Sequence, residues 1–256
     1  MEWIPLAVEL HKHLNWNLAR INFLAQFLVA MFKTKSSNLA DIATGFSGKS
    51  LISSNYERIR AFFRHYLFSQ EDIAKIIVLF FDLPKDDWHL VIDRTNWKFG
   101  SLNINILVLG ILYNGVMFPL FHTFLEKRGN SNEPERIALM LRFIHCFGRP
   151  NFLHIAADRE FIGRVWFKFL RKNNIDFCIR VRDNTLIPNQ RGRLRNAKVL
   201  FRNLPLQVYE NLGVRKIWDQ YLFVVGGKNA TGEYVILLCT KNPDSARQVY
   251  AQRWGH

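Results

Sequence analysis

The first 85 residues carry the apolar spacing of α-helices. Apolar side chains recur every three to four residues at 18–32 and 50–68, and a shorter helical pattern at 38–44 ends at Gly45. The helix predicted at 50–68 has an apolar face of Ile52, Tyr56, Ile59, Phe63 and Tyr66 and a basic face of Arg58, Arg60 and Arg64. A short helix, a glycine turn and a basic helix favour a helix-turn-helix unit, and a solvated basic face on a helical bundle is the alternative.

From residue 86 onward the apolar runs are those of strands with single helices between them. The order is strand, strand, strand, helix, strand, helix, strand. The predicted strands cover residues 88–92, 103–112, 116–125, 152–157 and 177–181. Asn114-Gly115 predicts a tight hairpin turn between the second and third strands. A capping box at Asn132 and Glu135 opens the first helix, whose predicted apolar face is Ile137, Leu141, Ile144 and Phe147.

This order predicts an α/β fold, a mixed sheet with helices on both faces. Three antiparallel strands followed by βαβ units make the first and fourth strands parallel neighbours, and right-handed crossovers place their C-terminal ends side by side. Each of the two apolar runs concerned is followed by an aspartate, Asp93 and Asp158. The sequence therefore predicts two carboxylates that converge at one edge of the sheet.

The domain organisation follows from the change in pattern. Residues 1–85 form a helical region that is expected to bind DNA, and residues 86–256 form the mixed-sheet region that carries both aspartates and is expected to be the catalytic core. Basic loops and short strand-like runs at 184–240 predict a small β-rich insertion in this core, and an incomplete last helix begins near Asp244.

Charge and composition limit the classes of molecule that the protein can bind. The chain has 35 Lys and Arg against 21 Asp and Glu, a net charge of +14, which favours a polyanion such as DNA. A hydrophobic content of 49% supports a sizeable core and excludes wholesale disorder. No apolar run reaches the roughly 20 residues that span a bilayer. We expect a cytoplasmic, nucleoid-associated protein without a membrane partner.

Cysteine usage predicts neither a disulfide framework nor a zinc site. Cys146, Cys178 and Cys239 lie far apart in the sequence, and none belongs to a CxxC pair. Each lies in an apolar run, so buried packing is expected for all three.

Two aspartates at adjacent strand ends have the chemistry of a divalent-metal site. Carboxylate oxygens bind Mg²⁺ or Mn²⁺, and such ions activate the attacking oxygen and stabilise the leaving oxygen in phosphoryl transfer. The alternative is that Asp93 and Asp158 only form turns or cap helices.

Several blocks of residues resemble the DDE transposases of bacterial insertion sequences, of the insertion-sequence-four type with a Tyr-Arg-Glu-Lys signature. The first is His89-Leu-Val-Ile-Asp93-Arg-Thr-Asn-Trp97. Lys127-Arg-Gly-Asn-Ser-Asn132 and Ala157-Asp158-Arg-Glu-Phe161 resemble the second block. Asn55-Tyr-Glu-Arg-Ile59 is similar to the N-terminal DNA-binding region. The resemblance extends over nearly the whole chain.

The resemblance implies an RNase H-like fold and a transposase that binds terminal inverted repeats, cleaves the strands and joins them to target DNA. It makes Asp93 and Asp158 catalytic ligands of Mg²⁺ or Mn²⁺. It also implies a homodimer on double-stranded DNA. The DNA-binding residues are then expected to be Arg58, Arg60, Arg64, Lys127, Arg128, Tyr250 and Arg253.

The third block of the family has Tyr, Arg, Glu and Lys at fixed spacing. Tyr250 and Arg253 match its first two positions, and the metal-binding Glu is expected immediately after His256. The 256 residues alone are therefore expected to be inactive. Glu160 is a weak substitute, because a residue two positions beyond a strand end points elsewhere, and it is expected to start the next helix.

Two other functions stay open at this point. The chain is then either a non-catalytic DNA-binding regulator that occupies the inverted repeats, or an RNase H-like nuclease acting on RNA–DNA hybrids. Trp97 is expected in the core, with stacking on a flipped base as the alternative.

Overall fold

The computed structural model describes residues 2–83, 88–148 and 152–252, except for the side chains of residues 152–154. The chain divides into two compact units, Met1–Phe80 and Phe81–His256, each of which is described by itself.

The N-terminal unit is helical. Its described elements are α1 (Ile4–His13), α2 (Leu18–Thr34), α3 (Leu39–Thr44), α4 (Ile52–His65) and α5 (Gln70–Phe80). The helices predicted at 18–32, 38–44 and 50–68 are confirmed as α2, α3 and α4, whereas α1 and α5 were not predicted. Asn17 and Asn38 cap α2 and α3 by accepting bonds from Arg20 N at 2.9 Å and Ala40 N at 3.0 Å.

The buried side of α4 differs from the predicted one. Ile59 is fully buried, but Ile52 is 57% exposed and Phe63 44% exposed. Asn55 is buried instead and donates from Nδ2 to the carbonyl oxygen of Ala43, 3.4 Å away. The predicted face is therefore wrong in part, because a polar side chain that bonds to α3 turns inward.

The C-terminal unit is built on one large mixed sheet. Its strands are β1 (Trp88–Phe99), β2 (Leu102–Tyr113), β3 (Val116–Phe124), β4 (Phe152–Ala157), β5 (Phe177–Val181), β8 (Tyr209–Ile217), β9 (Gln220–Lys228) and β10 (Tyr234–Cys239), with β6 (Leu186–Pro188) and β7 (Leu194–Asn196) in a separate hairpin. The order across the sheet is β3-β2-β1-β4-β5-β10-β9-β8. Strands β1, β4 and β5 are parallel, and the other pairs are antiparallel.

Helices accompany this sheet. They are α6 (Glu133–Phe147), α7 (Arg164–Lys172), α8 (Ala197–Leu200), a 3-10 turn at Pro243–Ser245 and α9 (Ala246–Gln252). A large mixed sheet flanked by helices, after a helical N-terminal unit, confirms the predicted fold class. Within the segment predicted as a β-rich insertion, strands β8 to β10 continue the main sheet from β5.

Helix α6 begins at the predicted capping box. Asn132 Oδ1 accepts from Glu135 N at 2.9 Å, and Glu135 Oε2 accepts from Asn132 N at 2.7 Å. The predicted apolar face is wrong, however, since Leu141 is 49% exposed. The buried residues of α6 are Arg136, Leu139, Met140 and Phe143. Bonds made by Arg136 turn this side of the helix toward the core.

Candidate active site

Three charged residues follow one another across the parallel strands. The register pairs Ile92 of β1 with Ala157 of β4, and Ala157 with Ile179 of β5. The residues that directly follow these three in the sequence are Asp93, Asp158 and Arg180. We call these three the carboxylate row. Because neighbouring strands lie about 4.8 Å apart, the row brings both carboxylates to one place.

Asp93 lies inside a strand rather than at its end. The parallel ladder with β4 stops at Ile92, but the antiparallel ladder with β2 continues to Phe99 opposite Leu102. The prediction that β1 ends at Asp93 is therefore wrong, because β2 supplies hydrogen-bonding partners beyond β4. The prediction for Asp158 is confirmed, since this residue follows the last residue of β4, Ala157.

A tyrosine holds the Asp158 carboxylate. Asp158 Oδ1 accepts from the backbone N–H of Arg159 at 2.7 Å and from the hydroxyl of Tyr250 at 3.2 Å. Tyr250 lies on α9 and is only 6% exposed. Tyr250 thus contacts a carboxylate of the row, and its contact with DNA stays a prediction.

Arg180 was not identified from the sequence. Its Nη2 donates to Glu233 Oε1 at 2.6 Å and to the carbonyl oxygen of Tyr234 at 2.9 Å. Burial works to lower the pKa of Arg180, but hydrogen bonds and charge from Glu233 and Tyr250 raise it. The available signal was a charged residue inside the apolar run 177–181, because a buried charge needs partners.

A second set of charged residues starts one residue away. Arg94 Nε donates to both carboxylate oxygens of Glu160, at 3.0 and 3.2 Å, and Arg94 Nη1 donates to Asn105 Oδ1 at 3.2 Å. Arg136 is 3% exposed and donates to the carbonyl oxygens of Glu160 at 2.8 Å and Ile162 at 3.0 Å. We call Arg94, Arg136 and Glu160 the arginine network. Burial lowers the pKa of Arg136, and nearby glutamates partly offset this effect.

The arginine network uses the carboxylate of Glu160. Both of its oxygens are bonded to Arg94, whose side chain projects from the face of β1 opposite to that of Asp93. Glu160 lies in a turn, and α7 begins at Arg164, so the expectation that Glu160 starts this helix is wrong. Within residues 2–83, 88–148 and 152–252, no cluster of three or more His, Cys, Asp or Glu is arranged to hold a metal ion.

The predicted DNA-binding residues lie in both units. Arg58, Arg60 and Arg64 are exposed on α4. Arg60 pairs with Glu57 at 2.9 Å. Arg253 falls outside the described residues.

Lys127 and Arg128 lie on the loop before α6. Asn105 Nδ2 fixes this loop by donating to the carbonyl oxygens of Lys127 at 2.9 Å and Gly129 at 3.0 Å. Lys127 pairs with Glu135 at 2.8 Å, and Arg128 is exposed. The loop therefore joins the arginine network through Asn105.

Other expectations are corrected. Trp97 is 58% exposed, so its expected place in the core is wrong. Cys178 and Cys239 are buried as predicted, but Cys146 is only partly buried, and all three are free thiols. Each helix in the described ranges is too short or too polar to cross a membrane.

Comparison with known families gives the class of protein. Residues 84–255 match the family described as Transposase DDE domain, so the chain belongs to that family. This match confirms the resemblance to DDE transposases, while the insertion-sequence-four type stays a prediction. A comparison with curated proteins finds no significant match.

Solved structures of transposases and integrases show a distant similarity. The piggyBac transposase in a synaptic complex with hairpin DNA has 15% identity and a TM-score of 0.48, over 93% of this chain and 58% of that chain. The HTLV-2 integrase catalytic core domain in complex with magnesium has 20% identity and a TM-score of 0.29, over 38% of this chain and 61% of that chain.

A third similar structure is a simian T-cell lymphotropic virus intasome in complex with a PP2A regulatory subunit. It has 14% identity and a TM-score of 0.32, over 59% of this chain and 50% of that chain. The chain thus spans at most 61% of the length of any of these three proteins.

Proposed function

We propose that this chain is the DNA-binding and catalytic part of an insertion-sequence transposase, in which Asp93 and Asp158 hold Mg²⁺ or Mn²⁺ for phosphoryl transfer. The observation that carries this proposal is the carboxylate row, which follows from the register of three parallel strands. Membership of the DDE family supports it.

The residues of the site have separate tasks in this proposal. A bound divalent ion would polarise the scissile phosphate and activate the attacking oxygen. Asp93 supplies an oxygen from a fixed strand, and Asp158 supplies another. Tyr250 donates its hydroxyl hydrogen to Asp158 Oδ1 and so orients the carboxylate that would hold the ion.

DNA is the proposed substrate and partner. A net charge of +14 supports binding of phosphates along the terminal inverted repeats and the target. The exposed Arg58, Arg60 and Arg64, with Arg128, are proposed phosphate contacts, and Lys127 and Arg253 are further ones. We propose that two copies bind paired ends, in the cytoplasm and on the nucleoid.

A third carboxylate completes the site in this proposal. The family spacing from Tyr250 and Arg253 puts it at the position after His256. The nucleotides after the codon for His256 test this point. A Glu codon there, with a Lys codon seven residues later, supports it, and the absence of both in all three frames contradicts it.

The function is tested by DNA binding and strand cleavage with the DNA that flanks the gene. We expect the 256-residue chain to prefer these ends over unrelated DNA, and Asp93→Ala to keep this binding. Robust Mg²⁺-dependent nicking that survives Asp93→Ala would refute the site. Cleavage of RNA–DNA hybrids without end preference would favour the nuclease instead.

One further outcome separates a regulator from a transposase. If co-expression of the 256-residue chain lowers transposition by an intact relative, the non-catalytic regulator is favoured. Unchanged transposition counts against that alternative.

A further inference from the structure

Two thiols lie directly opposite each other in the sheet. Cys178 of β5 pairs with Cys239 of β10, and their Sγ atoms are 3.4 Å apart. The neighbouring pair, Phe177 and Thr240, is joined by a backbone bond from Thr240 N to Phe177 O. Because bonded and non-bonded pairs alternate in an antiparallel ladder, the two cysteines occupy a non-hydrogen-bonded pair.

This position has the geometry of a disulfide. Cα atoms of such a pair lie about 4.5 Å apart, and their side chains are closer than in a bonded pair. Disulfides span Cα separations of about 4.4 to 6.8 Å. The two sulfurs therefore need only a small movement to bond.

The thiol pair lies beneath α9. Cys178 and Cys239 pack in one cluster with Ala246 and Tyr250. Cys239 donates to Cys178, and Cys178 donates its S–H to the carbonyl oxygen of Ala246, 3.5 Å away. Tyr250 on the same helix holds Asp158. Helix α9 thus contacts both the thiol pair and, through Tyr250, the Asp158 carboxylate.

A small crevice borders Cys178. It has a volume of about 20 Å³, and Cys178, Ala246, Val249 and Thr240 are among its lining residues. Cys178 retains 4% exposure, whereas Cys239 has none. Cys178 is therefore the less buried of the two cysteines, and we assign it the first reaction step.

We propose that Cys178 and Cys239 form a reversible disulfide site that reacts with low-molecular-weight disulfides, and that closing it loosens α9. The Cys178 thiolate attacks a reagent disulfide, forms a mixed disulfide and releases one thiol. Cys239 then attacks the Cys178 sulfur and releases the second thiol. Both cysteine protons pass to the released thiols, so the balance is one reagent disulfide reduced for one protein disulfide formed.

The effect on α9 follows from the geometry. Bond formation shortens the Sγ–Sγ separation from 3.4 Å to about 2.05 Å. Cys178 also loses its hydrogen, so the carbonyl oxygen of Ala246 loses a donor at the start of α9. The helix that carries Tyr250 is then held less firmly against the sheet.

The reaction is slow and speeds up with pH. The hydrogen bond with Cys239 and burial raise the pKa of Cys178, so little thiolate is present near neutral pH. This proposal goes beyond the DNA transaction described above and does not depend on it.

The disulfide is tested with the 256-residue chain in oxidised and reduced glutathione at pH 8.5. We expect peptide mapping to find a Cys178–Cys239 crosslink that dithiothreitol removes, and Cys146→Ser to form it equally well. Cys239→Ala should yield no crosslink. To remove any barrier to access, the chain is also refolded in the same buffer.

Two outcomes overturn the proposal. One is the absence of the crosslink after both treatments while Cys146 forms a mixed disulfide with glutathione. The other is measured by the rate at which trypsin cleaves after Arg247, which lies in α9. We expect cleavage there to be several times faster in the oxidised chain and unchanged by glutathione in Cys239→Ala. Equal rates in oxidised and reduced chains would show that the disulfide does not affect the helix.

Discussion

The carboxylate row and the arginine network begin at neighbouring residues, Asp93 and Arg94, yet their hydrogen bonding differs. In the network, both oxygens of Glu160 are bonded to Arg94, and Arg136 donates to main-chain carbonyl oxygens. Within the described residues, the hydrogen bonds to Asp158 both end on Oδ1. The contacts of Glu160 therefore indicate a role in stabilising the fold, whereas Asp158 is a proposed metal ligand.

The largest expected effect is on the arginine network. Arg136→Ala removes the donor to the carbonyl oxygens of Ser131, which is buried, and of Glu160 and Ile162, which are partly buried. We therefore expect the free energy of unfolding to fall by about 4 kcal/mol. Urea denaturation measures it, with the exposed Arg128→Ala as the control. A loss no larger than that of Arg128→Ala would mean that the network does not stabilise the fold.

The next largest effect distinguishes the role of the Asp158 carboxylate from that of Glu160, two residues further on. Asp158→Asn should weaken Mn²⁺ binding at least about 100-fold, since even outer-shell changes cost 10 to 100-fold. Its free energy of unfolding should change little.

Glu160→Gln is the matched control, with the same change of carboxylate to amide. We expect unchanged Mn²⁺ affinity and a loss of about 2 kcal/mol in stability, because it breaks a mostly buried ion pair with Arg94. The comparison fails if Glu160→Gln weakens Mn²⁺ binding as much as Asp158→Asn does. Calorimetric titration and thermal unfolding on the same samples decide this.

The smallest effect sharpens the role of Tyr250. Tyr250→Phe removes the hydroxyl that bonds to Asp158 Oδ1 and keeps the ring, which packs with Cys178 and Cys239. We expect Mn²⁺ affinity to fall about tenfold, as for other groups that orient a ligand. Tyr234→Phe, a hydroxyl deletion on β10, serves as the control. Equal affinities for the two variants would exclude an orienting role for Tyr250.

Much of the sheet could be predicted because strand order follows from local patterns. The runs at 152–157 and 177–181 match β4 and β5 residue for residue. Their order, together with right-handed crossovers, was enough to bring Asp93 and Asp158 together.

What the sequence did not reveal depends on partners distant in the chain. Arg180 takes its role from Glu233 and Tyr250, and the buried face of α6 is set by Arg136 bonding to carbonyl oxygens beyond β4. The end of β1 was misplaced because β2 continues as its partner past the end of β4. Periodicity within one element does not contain these contacts.

The position of Asp93 inside β1 affects how the pair of carboxylates can move. The residues before and after Asp93 are both paired with β2. Asp158, in contrast, directly follows the end of β4 and begins a turn. The backbone that carries Asp93 is therefore the more constrained of the two, and the backbone that carries Asp158 is freer to shift. In the proposed reaction, a change in the spacing of the two carboxylates would therefore come from the Asp158 side, where the hydroxyl of Tyr250 bonds to Oδ1.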